Sequence, residues 1–390
     1  MRTGYGKVAV VGGSLAGLAA AAEFKRVTSA EVTVFERSTG KLEGRGAGIV
    51  MQPETEALLT FLDIDPNAVV VGLRERRMLH RFSPPRTFAQ PQTMTAWDTL
   101  YRALRTATPN AEYLQGMSVA KVVPGDSQAE LTFEDGSTSE WDLVIGADGI
   151  DSVTRGSIFD AAPSYSGYVA WRGLEREQDL PADISADLTG RFTFFSSNGI
   201  QFLCYLVPGP GGETAPGHRR VNWVWYINTS ESAFHNVMLG TTGRRYDYFL
   251  PPHDVTTDNL RILHELAEKS LPPLFTRLVR HSNPFLQPVM DVAAGRMRRG
   301  SVFLIGDAAG TVRPHTASGT SKSIADAALL AQVFRGWSAD DPLPESPLRI
   351  WESRRLRSLY EIASVGVARA IGSQLGTTDS TPLWDRELVK

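Results

Sequence analysis

The chain has 390 residues, with 40 Lys and Arg against 43 Asp and Glu and a formal net charge of −3. That length allows two domains with separate cores, and the lack of a basic excess argues against nucleic acid as a partner. A single cysteine, Cys204, excludes an intramolecular disulfide and suits a reducing cytoplasm. It sits in the apolar run Phe202 to Leu206 and reads as a small buried hydrophobe rather than a nucleophile. No apolar run approaches the roughly twenty residues of a membrane span. No basic and apolar leader precedes the first strand. A soluble cytoplasmic protein is expected, with no membrane partner and no metal.

In chain order, Val8 to Val11 is an apolar strand that runs into glycines and then into a small-residue helix from Leu15. A second strand, Glu31 to Glu36, closes a βαβ unit. Pro84 to Pro91 is broken by prolines and reads as extended connections, and Trp97 to Thr106 has helical spacing. Leu131 to Phe133 followed by Glu134-Asp135-Gly136-Ser137 predicts a hairpin, and Trp141 to Ile145 a buried strand. From about Tyr165 to Asn228 the pattern turns to aromatic strands separated by glycine and proline turns. Val302 to Ile305 restores the α/β character, with helices expected over Gly319 to Phe334 and Pro347 to Gly372. The basic residues Arg354, Arg355 and Arg357 on the last helix read as a solvated face.

The string Gly12-Gly13-Ser14-Leu15-Ala16-Gly17 combines a sharp turn out of a strand with close helix packing. The helix start offers free N–H groups and a positive dipole end to a pyrophosphate. Glu36, at the tip of the second strand, is placed for the hydroxyls of an adenosine ribose and would repel a 2′-phosphate. The nucleotide held there is therefore FAD or NAD rather than NADP. Ser14 replaces the usual middle glycine but is small enough to let a phosphate approach.

Two later strings repeat the strand-then-turn logic: Ala147-Asp148-Gly149-Ile150-Asp151-Ser152 and Gly306-Asp307-Ala308-Ala309-Gly310. Ligands collect at such strand ends in open α/β sheets. In this order the three strings resemble the signature of class A (single-component) flavin-dependent aromatic hydroxylases, whose fold is that of para-hydroxybenzoate hydroxylase. The resemblance implies an α/β protein: a discontinuous Rossmann-like FAD-binding domain (1–75, 93–164, 290–335), an interrupting β-rich substrate domain (76–92, 165–289) and a C-terminal helical segment (336–390). It implies FAD held tightly without a covalent bond, NADH or NADPH as a transient co-substrate, and O₂.

The resemblance also implies site residues. Gly12, Ser14, Leu15, Ala16 and Gly17 hold the pyrophosphate, with Glu36 and Arg37 at the strand tip; Arg45, with Arg102 as a second candidate, neutralises it. Gln92 matches a family glutamine that touches FAD. Asp148 serves FAD and the passing pyridine nucleotide, and Asp307 meets the ribityl hydroxyls. Pro314 lies against the flavin ring, and Gly319 and Thr320 open a helix whose amides face the ring's N1 and C2 oxygen. The family's histidine after Gly-Asp-Ala-Ala is here Gly310, its usual Pro-x-x-Gly-Gln-Gly run is here Pro314 to Gly319, and Trp97 stands where an arginine is common.

Trp97-Asp98-Thr99-Leu100-Tyr101-Arg102, Trp223-Val224-Trp225-Tyr226, Arg313-Pro314-His315 and Gly319-Thr320-Ser321-Lys322 are similar to the 2,6-dihydroxypyridine 3-hydroxylase branch. That branch implies hydroxylation of an electron-rich, hydroxylated aromatic or N-heteroaromatic ring through a flavin C4a-hydroperoxide in a dry pocket. Trp171, Tyr205, Trp223 and Trp225 are candidate pocket walls; Trp223 and Trp225 share one strand face. His315 is the first candidate base and Tyr205 the second. Two alternatives stay open: a decarboxylative hydroxylase using Arg191, Arg219 or Arg220, and a flavin-binding redox sensor without turnover. The oligomeric state is open, a homodimer among the options.

Overall fold

The βαβ unit read from the sequence opens a six-stranded sheet in the computed structural model, which describes residues 6–40, 47–109, 111–376 and 384–385. The strand order is Arg298–Arg299, Val302–Leu304, Leu143–Gly146, Lys7–Val11, Glu31–Glu36, Glu112–Gln115, parallel except at Arg298–Arg299. Such a sheet must be covered on both faces. Helices Leu15–Val27, Trp97–Ala107 and Gly319–Val333 bury one face around Val8, Val10, Phe24, Leu104 and Ile324. A three-stranded meander (Val119–Val123, Ala129–Phe133, Thr138–Trp141) buries the other against Ala9, Val11, Phe35 and Val144. The hairpin turns at Gly136, φ +83°, where glycine carries no steric penalty.

The aromatic strands form an eight-stranded sheet in the order Phe285–Asp291, Ser164–Arg176, Arg220–Asn228, Ile200–Val207, Arg191–Ser197, Val71–Met78, Arg86–Ala96, Gly48–Val50. Alternation gives it two unlike faces. Its back carries Trp171, Phe202, Trp223, Trp225 and Ile227, sealed by helices Glu231–Val237, Thr257–Ser270 and Pro273–Arg280 through Phe234, Leu263, Leu266, Phe275 and Leu278. Its front carries Tyr168, Arg172, Gln201, Tyr205, Asn222 and Tyr226 and meets His315 and Ala370 of the C-terminal third.

The expected domain limits at 75/76, 92/93, 164/165 and 289/290 each fall inside a strand of this large sheet, which reaches back as far as Gly48–Val50. The two lobes are therefore joined by continuous strands rather than linkers. A buried bidentate pair, Arg220 with Asp98 at 2.8 Å, pins the large sheet to the helix Trp97–Ala107. The last helix, Glu345–Gly372, also joins them: Leu348 and Trp351 pack in the dinucleotide core and Ala370 on the large sheet's front. The solvated reading of its basic residues fails at Arg355, which is buried against Asp326 at 2.6 Å.

Candidate flavin and substrate site

The strand Lys7–Val11 ends at Gly12, φ +103°, where a Cβ would come within 2.4 Å of the Ala147 carbonyl oxygen. At Gly17 a Cβ would fall 1.9 Å from the Gly12 carbonyl oxygen. Only glycine lets the helix start lie this close to the turn. The first intrahelical bond runs from Leu18 N to Ser14 O, so the N–H groups of Leu15, Ala16 and Gly17 have no partner within the helix. Ser14 makes no side-chain cap, and the first turn carries no acid. This is an open, positively polarised helix end of the kind that receives a phosphate.

Glu36 is buried beside it, accepting from Gly13 N at 2.9 Å and Ser38 N at 2.8 Å. Its carboxylate braces the glycine turn at the strand tip expected to meet the ribose. Arg37 is exposed, and Arg45 lies outside the described residues. Arg102 donates to the Pro210 carbonyl and so belongs to a neighbouring loop. Tyr113, which the sequence reading missed, donates to Gly13 O at 3.0 Å and meets Tyr101 Oη at 3.1 Å. A lone tyrosine on a short strand carries no signal until the pairing of Glu112–Gln115 with Glu31–Glu36 places it.

The second string is mostly scaffold. Asp148 accepts from Ser152 Oγ (2.6 Å), Thr154 N (2.9 Å) and Thr154 Oγ1 (3.0 Å), closing the start of helix Val153–Ile158. Burial raises its carboxyl against those hydrogen bonds. Arg155 donates to Ile150 O, Ala161 O and Ala308 O, tying this turn to the third string.

In the third string Gly306 adopts φ +60°, and a Cβ there would lie 2.9 Å from Ala16 Cβ. Two motifs nearly three hundred residues apart thus meet at one point. The turn is held by a buried ion cluster. Gly306 N donates to Asp326 Oδ2 (3.0 Å), Lys322 Nζ donates to Gly306 O (2.7 Å) and to Asp326 (3.1 Å), and Arg355 completes the set. Asp307, next in sequence, remains solvent-accessible in this recess. Desolvation by the surrounding protein raises its carboxyl, Lys322 opposing and Asp326 adding to the rise.

The loop Pro314–Thr316 leads through Ala317, φ +56°, into the helix Gly319–Val333. Gln52 braces it, donating to Ala317 O and accepting from Ser321 Oγ, both at 2.8 Å. This helix also has no side-chain cap and no acid in its first turn. Its first bond is Lys322 N to Ser318 O, leaving the amides of Gly319, Thr320 and Ser321 free of helical partners, with open space at Gly319. Gln92 adds a buried Nε2 that meets no acceptor. Two open helix ends, a glycine cradle closed to any side chain and an unmet amide donor fit FAD: phosphates on the first helix, the ring at the second.

His315, the first candidate base, is not without partners. Its Nδ1 meets Gln201 Oε1 at 2.7 Å and its Nε2 the Tyr168 hydroxyl at 2.9 Å, so both ring nitrogens are engaged. Burial, with Arg313 and Arg369 nearby, pushes it down to about 4. Pro314 starts the turn that presents it. Trp171, Trp223 and Trp225 are corrected as pocket walls: they share a face as expected, but it is the sealed back, where Trp171 stacks on Trp384 and Trp223 Nε1 donates to Ser282. The even-numbered neighbours supply the front instead. Tyr205 is on it, with Gly48's Cβ position 2.5 Å from its ring and Gly48 N donating to Asn222 Oδ1 at 2.8 Å. Burial raises its phenol, as it raises those of Tyr226 and Tyr168.

A family model described as FAD binding domain matches residues 256–344, and one described as FAD binding domain-like matches residues 165–291. The 2,6-dihydroxypyridine 3-monooxygenase of Paenarthrobacter nicotinovorans is 32% identical over 354 residues, covering 90% of this chain and 87% of its own. The chain belongs to the FAD-dependent aromatic monooxygenases. The solved 2,6-dihydroxypyridine-3-hydroxylase of Arthrobacter nicotinovorans superposes with a TM-score of 0.88 at 30% identity, over 96% of this chain and 94% of that one. The 6-hydroxynicotinate 3-monooxygenase of Bordetella bronchiseptica is 25% identical over 93% of this chain and 91% of its own. A salicylate hydroxylase structure shares the fold, with a TM-score of 0.72 at 20% identity over 99% of this chain and 93% of its own. Among the described residues no helix is long and apolar enough to cross a membrane, and no cluster of metal-ligating side chains occurs.

Proposed function

We propose that this monooxygenase hydroxylates an electron-rich, hydroxylated aromatic or N-heteroaromatic ring, using NADH or NADPH and O₂. The observation that carries the reading is one recess where the Gly12–Gly17 helix end, Asp307 and the open helix end at Gly319 meet, opposite a tyrosine-rich sheet front. Bound FAD supplies the electron transfer from the nicotinamide and the activation of O₂.

The chain's residues supply the rest. The amides of Leu15, Ala16 and Gly17 bind the pyrophosphate, Glu36 the ribose and Asp307 the ribityl chain. The Gly319–Ser321 amides favour negative charge on the ring they face. Tyr205, Asn222 and Tyr226 orient the substrate, and the packed front excludes water. The lobe built on residues 6–40 and 293–335 is the FAD-binding part, and the front of the large sheet the substrate-binding part.

The three arginines considered for a decarboxylative route are committed elsewhere. Arg191 is paired with Glu75, Arg219 with Glu177 and Arg220 with Asp98, so none is free for a substrate carboxylate. The test is stimulation of NAD(P)H oxidation by a panel of hydroxypyridines, hydroxybenzoates and phenols, scored for hydroxylated product and for CO₂. A protein that holds FAD but responds to no ring is the redox-sensor alternative.

A further inference from the structure

Arg172 lies on the front of the large sheet, paired across the strands with Val224, while its neighbours Trp171 and Gly173 belong to the back. Arg191, Arg219, Arg220 and Arg313 each have an acidic partner, and Arg76, which has none, lies over the rings of Phe192 and Phe194. The Arg172 side chain forms no hydrogen bond or ion pair among the described residues, and its Nε is buried without an acceptor. A guanidinium drawn partly out of water without a counter-charge is costly, and an incoming anion would remove that cost.

Its surroundings say which anion. The charge of Arg172 acts on both Tyr205 and Tyr226, opposing the upward push of burial on each phenol. Tyr205 packs against Gly48, and Asn222 is bonded to the same glycine. The cation therefore sits among aromatic side chains and phenolic donors beside the place where the flavin ring is expected. The other titratable and charged groups around this region are Tyr168, His315, Arg369, the pair Arg313–Asp291, and Arg76, the last over the rings of Phe192 and Phe194. Burial favours the protonated phenols, and both His315 nitrogens are hydrogen-bonded. Among the described residues the carboxylate nearest this region, Asp291, is paired with Arg313.

We propose that Arg172 anchors the substrate through an anionic oxygen of the ring, either an ionised ring oxygen or a ring carboxylate, with the Tyr205 and Tyr226 hydroxyls as accompanying donors. The inference rests on the aromatic-hydroxylase reading. It replaces a catalytic base with charge stabilisation: the ring hydroxyl loses its proton to solvent, and the guanidinium holds the resulting anion where an electron-rich ring is needed.

The test uses the FAD-loaded protein and two probes, 2,6-dihydroxypyridine, whose only anionic groups are ring oxygens, and 6-hydroxynicotinate, which adds a carboxylate. Binding is read from the perturbed flavin absorbance, and the ionisation of the bound ring from its ultraviolet difference spectrum against pH. Arg172→Met is expected to weaken ring binding roughly thirtyfold, the scale of a lost hydrogen bond to a charged group. The apparent pKa of the bound ring should rise by about a unit or more, while FAD affinity and the unfolding midpoint stay unchanged. Arg172→Lys should restore most of the ionisation shift, which a purely structural role would not require. Equal losses for both probes assign the ring oxygen, and a larger loss for 6-hydroxynicotinate assigns the carboxylate. Unchanged binding and ionisation for both probes in Arg172→Met would overturn the anchor alone. A wild-type holoenzyme that binds no hydroxypyridine, hydroxybenzoate or phenol would overturn the hydroxylase reading and the anchor with it.

Discussion

The Nδ1 atom of His315 lies 2.7 Å from Oε1 of Gln201. An amide oxygen only accepts, so Nδ1 carries the proton and Nε2, 2.9 Å from the Tyr168 hydroxyl, receives one. The imidazole is thereby fixed in one neutral tautomer, and it clips the Pro314–Thr316 loop to the sheet front. So held, the imidazole acts here as a clip between two parts of the fold.

Its pH behaviour follows from that geometry. Burial lowers His315 from the ordinary 6.5 to about 4, so its contribution to stability is complete above about pH 6.5 and is lost as the pH falls through 4. The loss is at most about 3.5 kcal/mol, from about 1.4 kcal/mol per unit. Thermal unfolding of the wild type should therefore weaken from pH 6.5 to 4, and His315→Asn should flatten that slope. Parallel slopes in the two proteins would contradict the assignment. The pH optimum for hydroxylation should not move upward in His315→Asn, as it would if His315 were the base.

Asp326 is the single carboxylate shared by Lys322, Arg355 and the Gly306 amide. Replacing it by asparagine leaves two buried cations without a counter-charge, a change that costs about 3–5 kcal/mol. Asp326→Asn should lower the denaturant midpoint markedly and loosen FAD by releasing the turn before Asp307. Asp307→Asn, at a solvent-accessible position, should loosen FAD while apoprotein stability shifts by no more than about 0.5 kcal/mol. A similar midpoint for the two variants would refute this division of labour.

Gly17→Ala places a methyl where the Gly12 carbonyl oxygen already lies, 1.9 Å away. The helix must then move off the turn, and equilibrium dialysis should show FAD retention lost or reduced at least about tenfold, one lost hydrogen bond's worth. Retention at the wild-type level would mean that the glycine turn is not the phosphate cradle.

The two faces of the large sheet give opposite outcomes. Trp225→Phe alters the sealed back and should cost about 1–3 kcal/mol of stability with ring affinity unchanged. Tyr205→Phe removes a hydroxyl on the front and should change ring affinity with little effect on the unfolding midpoint. Reversed results would place the substrate on the wrong face of the sheet.

These residues also mark how far the sequence could be read. The three strings and their order were legible because each is a local event, a strand ending in a turn that only small residues permit, and their joint use at Ala16 and Gly306 follows from parallel pairing. The hairpin at Gly136 and the helix from Gly319 were legible for the same reason. Which face of the sheet meets substrate was not. Trp223 and Trp225 share a face by simple alternation, but whether helices cover that face depends on the segments 231–237, 257–270 and 273–280, whose amphipathic patterns do not state their partner. Arg355, Tyr113 and Gln52 were invisible for a related reason: each acts through a partner more than twenty-five residues distant. His315 looked like a base because its partners Gln201 and Tyr168 come from other strands.

The most direct test of the central claim is oxygen labelling. The FAD-loaded protein, NADH or NADPH and ¹⁸O₂ are combined with each ring of the hydroxypyridine, hydroxybenzoate and phenol panel, and the product is weighed by mass spectrometry. The account expects at least one ring to accelerate nicotinamide oxidation and to emerge with a single ¹⁸O atom in a new hydroxyl. Nicotinamide oxidation that yields only hydrogen peroxide, with every ring recovered unlabelled, would contradict it.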